Sequence, residues 1–409
     1  MKDVFANTKF LFILFSAFLA VMGIGFIIPV IPFILEEYVP SNQVALMVGV
    51  LTSLYSLCQF FAAPVLGALS DKYGRRPVLL FCLLGSAIGY VMFGIGGALW
   101  ILFVGRIIDG LTGGDISTLF AYIADITEPK DRGKYFGIVG ATVGFGFIIG
   151  PTLGGLASKI SYSAPFFIAA GFTLINMLFG IFVLPESLDK KHRMTDFSAH
   201  HLNPFGQISN VWKKPLIKTL FILSIFYFFP FAQLQGISSV YYKDTLHWNA
   251  DNIGYLFLVL GIGDMITQGF LSGKLIPKFG ELKTVLGGFI LTAIAYAVFA
   301  ALVVFPTSST AYVGILIYAF GSGLFEPSIG SLISRSAEPR EQGRVQGASQ
   351  SLQSVTRIVG PLTAAFLYQA GTSFPYLLNV ILSIAGVGFV LTVSSQIQKA
   401  LDLHIEKHE

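Results

Sequence analysis

Long apolar stretches separated by short polar breaks recur along the whole chain, at about residues 10–35, 44–69, 77–97, 99–125, 133–158, 164–184, 215–241, 251–276, 283–305, 309–334, 344–370 and 373–395. At about 1.5 Å per residue, a helix of twenty residues crosses a hydrocarbon layer of ~30 Å. The pattern therefore predicts an all-α integral membrane protein of twelve transmembrane helices. A β-barrel is excluded because the runs are continuous and rich in Leu, Ile and Phe, without the residue-by-residue alternation that a barrel wall requires. The first run is too long for a cleaved signal and lacks a small-residue cleavage site. Composition agrees: of 409 residues, 54% are hydrophobic and only 12% charged, with a mean hydropathy of +0.74.

The polar breaks are unequal in charge. Twenty-two of the 26 Lys and Arg fall at the amino end, in the loops after spans 2, 4, 6, 8 and 10, and in the tail; the opposite loops carry Lys159 and Lys243 alone. By the positive-inside rule both termini are cytoplasmic. The net charge of +4 reflects this sidedness, and the basic residues have no aromatic interleaving that would suit nucleic acid. Cys58 and Cys82 lie inside spans 2 and 3, where buried free thiols are expected and no metal site is implied.

The longest polar stretch, residues 185–214, contains His192, His200 and His201 and separates six spans from six. It is expected to be a solvated cytoplasmic linker, since no Cys or carboxylate accompanies the histidines at ligand spacing. It divides the chain into an N-terminal half, 1–184, and a C-terminal half, 215–409. The halves repeat. Gly67-Ala-Leu-Ser-Asp71-Lys-Tyr-Gly74-Arg75-Arg76 after span 2 corresponds to Gly273-Lys-Leu-Ile-Pro277-Lys-Phe-Gly280-Glu281-Leu after span 8. Glu128-Pro129-Lys130-Asp131-Arg132-Gly133-Lys134 matches Glu338-Pro339-Arg340-Glu341-Gln342-Gly343-Arg344, and each is followed at equal spacing by Gly150-Pro151 or Gly360-Pro361. Two six-span units of common pattern are the sequence sign of a transporter.

The loop from Gly67 to Arg76 fits G-x-L-x-D-x-x-G-R-R throughout and resembles the signature of the major facilitator superfamily. Span 5, with Gly146, Gly150, Pro151, Gly154 and Gly155, resembles the G-x-x-x-G-P-x-x-G-G element of twelve-span drug:proton antiporters, and Arg106 to Gly110 resembles their R-x-x-x-G element. The likeness is nearest to the tetracycline-efflux type, through Met22 to Pro32, Gly67 to Val78 and Gly343 to Leu362. It departs from that type where acids are expected in spans 1, 3 and 9, since Ala20, Gly89 and Thr292 stand there. Tetracycline is therefore not the implied substrate. Asp71 and Arg75 are expected to form a charged gating latch at the cytoplasmic face, with Arg76 and Asp125 beside them. The glycines at 146, 150 and 154 share one helix face and permit close backbone approach, either for rigid packing or for a moving interface broken by Pro151. The loop at Gly273 to Gly280 has Pro277 in place of the acid and is expected to matter less.

Ionisable side chains at membrane depth cost about 2.5–3.5 kcal/mol on insertion scales, so each needs a partner, a wet cavity or a proton. Arg106 and Asp109 share a face of span 4; their pair is either a neutralising bridge or a proton site competing with substrate. Asp115 is nine residues from Arg106, about 900° of helix rotation, and so is expected to point to the opposite face. Glu326 precedes Pro327 in span 10, which by resemblance lines the cavity, and is the first candidate for a proton carrier; a structural pair with Arg357 is the alternative. Asp264 in span 8 is a further candidate. In span 7, Tyr227, Phe231, Gln233 and Gln235 combine rings with amides that need partners, a set able to hold an amphipathic ligand. The expected function is proton-coupled export of lipophilic or amphipathic compounds through a midplane cavity of spans 1, 4, 7 and 10, driven by the proton motive force without a cofactor. An exporter of a native metabolite and a lipid flippase are the alternatives. The resemblance implies a monomer in a bacterial plasma membrane.

Overall fold

The computed structural model describes residues 8–128, 132–189, 191, 193–194, 212, 214–337 and 341–406. The histidines of the 185–214 stretch and residues 129–131 and 338–340 of the paired repeat loops lie outside them. Among the described residues the regular structure is helical throughout.

The first apolar run is bent. Helix α1 (Thr8–Ile27) is followed by a turn and a short helix α2 (Ile31–Leu35), the break falling at Pro29, with Pro32 in the first turn of α2. The next elements are α3 (Ser41–Tyr73), α4 (Arg75–Ile95), α5 (Leu99–Leu111), α6 (Asp115–Ile126), α7 (Arg132–Ala157) and α8 (Ala164–Val183). After residue 214 come α9 (Pro215–Leu246), α10 (Ala250–Ile266), a π turn (Thr267–Leu271), α11 (Ser272–Phe279), α12 (Glu281–Ala301), α13 (Ser308–Arg335), α14 (Gln342–Ala370) and α15 (Phe374–Glu406). Among the described residues, ten helical stretches are long and apolar enough to cross a membrane. The other two expected spans differ for separate reasons: α14 is continuous over 29 residues but more polar, and span 4 is two helices.

The interruption of span 4 corrects the expectation of one continuous helix. Gly113 and Gly114 follow Thr112, whose hydroxyl bonds back to the Ile108 carbonyl at 2.8 Å, and two adjacent glycines are poor helix formers. Gln59 on α3 donates to the freed Gly113 carbonyl at 3.0 Å. There is also no room to continue: a Cβ on Gly114 would lie 2.5 Å from a Leu66 methyl.

The chain divides into two compact units, one of residues 1–47, 54–203 and 249–258, the other of 48–53, 204–248 and 259–409. In the first, α1 packs along α7 and α4 packs on α5 and α8; in the second, α9 packs along α14 and α12 packs on α13 and α15. These pairings correspond one to one under the sequence repeat. Close glycine crossings also correspond. A Cβ on Gly150 would meet the Met22 carbonyl at 2.8 Å and Gly25 at 2.9 Å, while one on Gly360 would meet Ala232 at 2.7 Å and one on Gly236 would meet Pro361 at 2.6 Å. Glycine at each crossing lets two backbones touch, which compensates within a membrane for the missing hydrophobic drive between helices.

Candidate functional site

The end of the first unit that carries the Gly67–Arg76 loop is organised around Arg75. Gly74 adopts φ +110° and joins α3 to α4, a conformation that favours glycine. Gly67 sits inside α3 with open space around it, so the turn depends on Gly74. The Arg75 guanidinium donates to Asp71 Oδ1 at 2.5 Å, to Ser70 Oγ at 3.0 Å and, through Nε, to Asp125 Oδ2 at 3.0 Å. A planar fork with several fixed donors suits this three-way contact, which a lysine cannot reproduce. The Arg76 guanidinium reaches the Ile181 carbonyl.

Sequence reasoning missed Glu186, the first acid of the supposed linker. Its carboxylate accepts from the backbone N–H groups of Arg75 at 2.8 Å and Arg76 at 3.2 Å, capping the otherwise unsatisfied amino end of α4 where the helix dipole favours an anion. Ser187 donates to Asp125 at 2.9 Å, Tyr122 to the Pro185 carbonyl at 2.8 Å, and the Met194 N–H to the Asp71 carbonyl at 3.0 Å. The start of the 185–214 stretch is thus docked on the signature loop rather than solvated. The available signal was an acid directly after Leu184-Pro185, where the chain leaves span 6.

The second unit contains the same joint with its charges exchanged. Gly280, at φ +83°, links α11 to α12. Glu281 occupies the position of Arg75 and accepts from Arg335 at 2.6 Å and from Ser331 at 3.2 Å. Arg335 ends α13 as Asp125 stands near the end of α6. The repeat loop without its aspartate therefore retains a cross-helix ion pair of reversed polarity.

Two groups of ionisable residues lie at membrane depth. In the first unit Arg106 and Asp109 are both buried, 3.5 Å apart, with the guanidinium over the rings of Tyr55 and Phe93 at 5.3 and 5.1 Å. Arg106 Nε and Asp109 Oδ2 have no hydrogen-bond partner, leaving bonding capacity on both sides of the pair. Gly89 explains how Asp109 fits, since a Cβ at 89 would stand 2.9 Å from the Asp109 Cβ and 2.8 Å from the Gly105 carbonyl. Asp115 opens α6 and lies within electrostatic range of Asp109. This overturns the opposite-face geometry for Asp115: rotation cannot be counted through a broken helix.

In the second unit Tyr227 on α9 donates to Glu326 Oε1 on α13 at 3.1 Å. Ser322, one turn before Glu326, lies 2.5 Å from Asp264 Oδ1 on α10. Asp264 and Arg357 are each within electrostatic range of Glu326, so two candidates that the sequence kept separate form one group. The π turn after Asp264 has a local cause, since Thr267 is pressed against Gly323, where a Cβ would lie 2.5 Å from that of Thr267, and Ser272 donates to the Gly323 carbonyl at 2.6 Å. Tyr227 stacks on Phe325 at 4.0 Å and faces Phe231 at 6.3 Å, with Phe231 6.4 Å from Tyr318. Gln233 is fully buried and neither amide atom has a partner; Gln235 is half-buried.

Of the span 5 glycines, Gly146, Gly150 and Gly154 face the backbone of α1, while Gly155 faces residues 250–251 within the same unit, each with a main-chain atom within 3 Å of an added Cβ. Pro151 also packs on Gly25, with a carbonyl 2.7 Å from where a Gly254 Cβ would be.

The paired helices, signature loop and mid-membrane charges define a transporter built from a repeated six-span unit. The profile of the Major Facilitator Superfamily matches residues 13–361 and 234–403, and this chain belongs to that superfamily. It is 36% identical over 373 residues to the class C tetracycline resistance protein of Escherichia coli, covering 90% of this chain and 91% of the relative. It is 28% identical to multidrug resistance protein 1 of Bacillus subtilis, covering 95% and 96%. Among solved structures it resembles the human organic anion transporter MFSD10 with a TM-score of 0.71 at 23% identity over 93% of this chain and 98% of the other. A peptide transporter of the POT family superposes with a TM-score of 0.79 at 11% identity, covering 96% and 95%. Both structural likenesses concern the fold. The protein is a multi-pass membrane transporter and not an enzyme.

Proposed function

We propose that the chain exports small lipophilic or amphipathic compounds from the cytoplasm in exchange for protons. The observation that carries this reading is the Glu326 group, two carboxylates beside the rings of Tyr227, Phe231, Tyr318 and Phe325. The rings offer an apolar, cation-tolerant surface, and a carboxylate among them is a group whose charge a proton removes. The relatives are named for resistance to tetracycline and to multiple drugs, which supports efflux as the direction. Gly89, Ala20 and Thr292 stand where tetracycline exporters have acids, and Asp109 fills the space against Gly89. The substrate set is therefore expected to differ from tetracycline.

The proposed mechanism is alternating access between the halves 1–184 and 215–409, joined by 185–214, with both termini cytoplasmic and the chain acting as a monomer in a bacterial plasma membrane. Arg106, Asp109, Asp115, Gln233, Gln235 and Arg357 complete the coupling and substrate groups. The Arg75 cluster and the crossings at Gly146, Gly150, Gly154 and Gly155 serve gating.

The test is substrate-driven proton flux in proteoliposomes under an imposed pH difference. Lipophilic drugs are expected to move protons in the opposite direction, and a gradient of one pH unit supplies about 1.4 kcal/mol per proton, enough for about tenfold accumulation. Substrate movement indifferent to pH would instead favour a facilitator or a flippase. A second measurement addresses the reversed joint: Glu281→Gln is expected to slow transport by about three- to tenfold, and the exchanged pair Glu281→Arg with Arg335→Glu to recover most of the loss. Unchanged rates in Glu281→Gln would show that Gly280 alone makes the turn.

A further inference from the structure

The coupling group of the second unit contains an imbalance that one proton resolves. Ser322 Oγ has three oxygens in bonding range: Asp264 Oδ1 at 2.5 Å, the Tyr318 carbonyl at 3.0 Å and the Ala319 carbonyl at 3.1 Å. A hydroxyl donates one proton and accepts at its lone pairs. If Asp264 is ionised, Ser322 turns its proton from the helix carbonyls to the carboxylate. When Asp264 carries a proton, the carboxyl O–H donates to Ser322 Oγ and Ser322 donates back to its own helix. The Asp264–Ser322 contact persists in both states, so gain or loss of the proton need not separate α10 from α13.

The second acid is set similarly. Tyr227 donates to Glu326 Oε1, a bond that a carboxylate or a protonated carboxyl accepts, so the other oxygen is free to carry a proton. The groups facing the acids come from three helices, Tyr227 on α9, Tyr318 on α13 and Arg357 on α14, with Tyr296 on α12 beside Tyr227 and Tyr318. Arg357 is the cation that acts on Glu326. The Tyr318 hydroxyl, on a residue only 1% exposed, stands among the hydroxyls of Tyr227 and Tyr296 and within electrostatic range of Glu326.

We propose that Asp264 and Glu326 form a single proton-binding site, holding one exchangeable proton between them, with Ser322 as the positioning residue that follows the charge of Asp264. One cation and two acids reach zero net charge when one of the acids is protonated. Two carboxylates at this depth repel when both are ionised, so their protons leave in separated steps that belong to the pair. This inference rests on the proton-coupled reading of the same site and adds which residues share the proton.

The test is a pH titration of the carboxylic C=O stretch by infrared difference spectroscopy on the purified full-length protein in lipid. The wild-type band is expected to lose its intensity at these residues in two steps separated by about one pH unit or more. In Glu326→Gln the Asp264 band, and in Asp264→Asn the Glu326 band, is expected to titrate in one step moved to lower pH by a comparable amount. Ser322→Ala is expected to shift and broaden the Asp264 band while leaving that of Glu326 in place. Single-step wild-type titration, or variant midpoints unmoved by neutralising the partner, overturns the proposal, and the wild-type readout stands even where a variant fails to fold. The titration requires no transport. Coupled carboxyls in a protein that moves no substrate against protons would remove the exchange reading alone; independent carboxyls in an active antiporter would remove the shared site alone.

Discussion

Replacing Glu326 with glutamine abolishes uphill, pH-driven export while leaving substrate binding, and downhill exchange, largely intact. A carrier converts a proton gradient into substrate accumulation only if protonation has different free energy in its two facing states. Glutamine keeps the size of the side chain and its capacity to accept from Tyr227, but it is neutral at every pH. With coupling removed, the accumulation ratio under one pH unit falls from about tenfold to about one. Measured in proteoliposomes, ligand affinity should change by less than about threefold, since the rings of Tyr227 and Phe325 keep their stacking partner. Persistent pH-dependent accumulation in the variant would make Glu326 structural and move the search to Asp264, Asp109 and Asp115.

Asp71→Asn is expected to leave the protein folded and inserted but to slow transport strongly, and Arg75→Ala to slow it further. Arg75 is bonded at once to Ser70, Asp71 and Asp125, and its side chain is 11% exposed. Removing it leaves Asp125 facing a vacated, partly buried site, with a cost of several kcal/mol for an unpaired charge at depth and less in the half-exposed case. Asp71 is 41% exposed in its side chain, so its own loss is smaller and falls on one link of the cluster. Turnover should drop by at least about tenfold in Asp71→Asn, with Arg75→Lys intermediate between wild type and Arg75→Ala because lysine keeps the charge and loses the fork. Normal turnover at normal expression in Asp71→Asn would reduce the loop to a topological signal.

Much of this architecture is legible in local pattern. A membrane span must satisfy its backbone within itself, so continuous apolar length is nearly sufficient to place a helix. Glycine positions identify close crossings for the same reason: in lipid only small residues let helices approach. Gly150 thus marks the close approach of α7 to α1, and the repeat carries the same pattern to Gly360 and Pro361. The failures share a cause. The helix face of Asp115 cannot be counted through Thr112, Gly113 and Gly114, where Gln59 from another helix stabilises a break. Glu186 reads as linker in the sequence because its partners are two backbone N–H groups over a hundred residues earlier in the chain. The reversed pair Glu281–Arg335 was hidden because a motif comparison matches residue identity, whereas the joint conserves the contact and inverts the signs.

The amino-acid sequence by itself determined that the chain lies in a membrane, that it is helical, that its two parts repeat, and that Arg106, Asp109, Asp264, Glu326 and Arg357 carry charge where charge is costly. Those properties depend on transfer free energies and helix periodicity, which act over a few turns and are written in consecutive residues. Only the tertiary structure decided which acids meet. The Asp264–Ser322 contact and the Tyr227–Glu326 bond join helices separated by 58 and 99 residues, and the distance between two buried carboxyls sets whether they titrate alone or as a pair. The π turn at Thr267 and the crossing at Gly323 lie beside the Asp264–Ser322 contact, where packing of one helix against another, not the spacing along either, brings the side chains to one place.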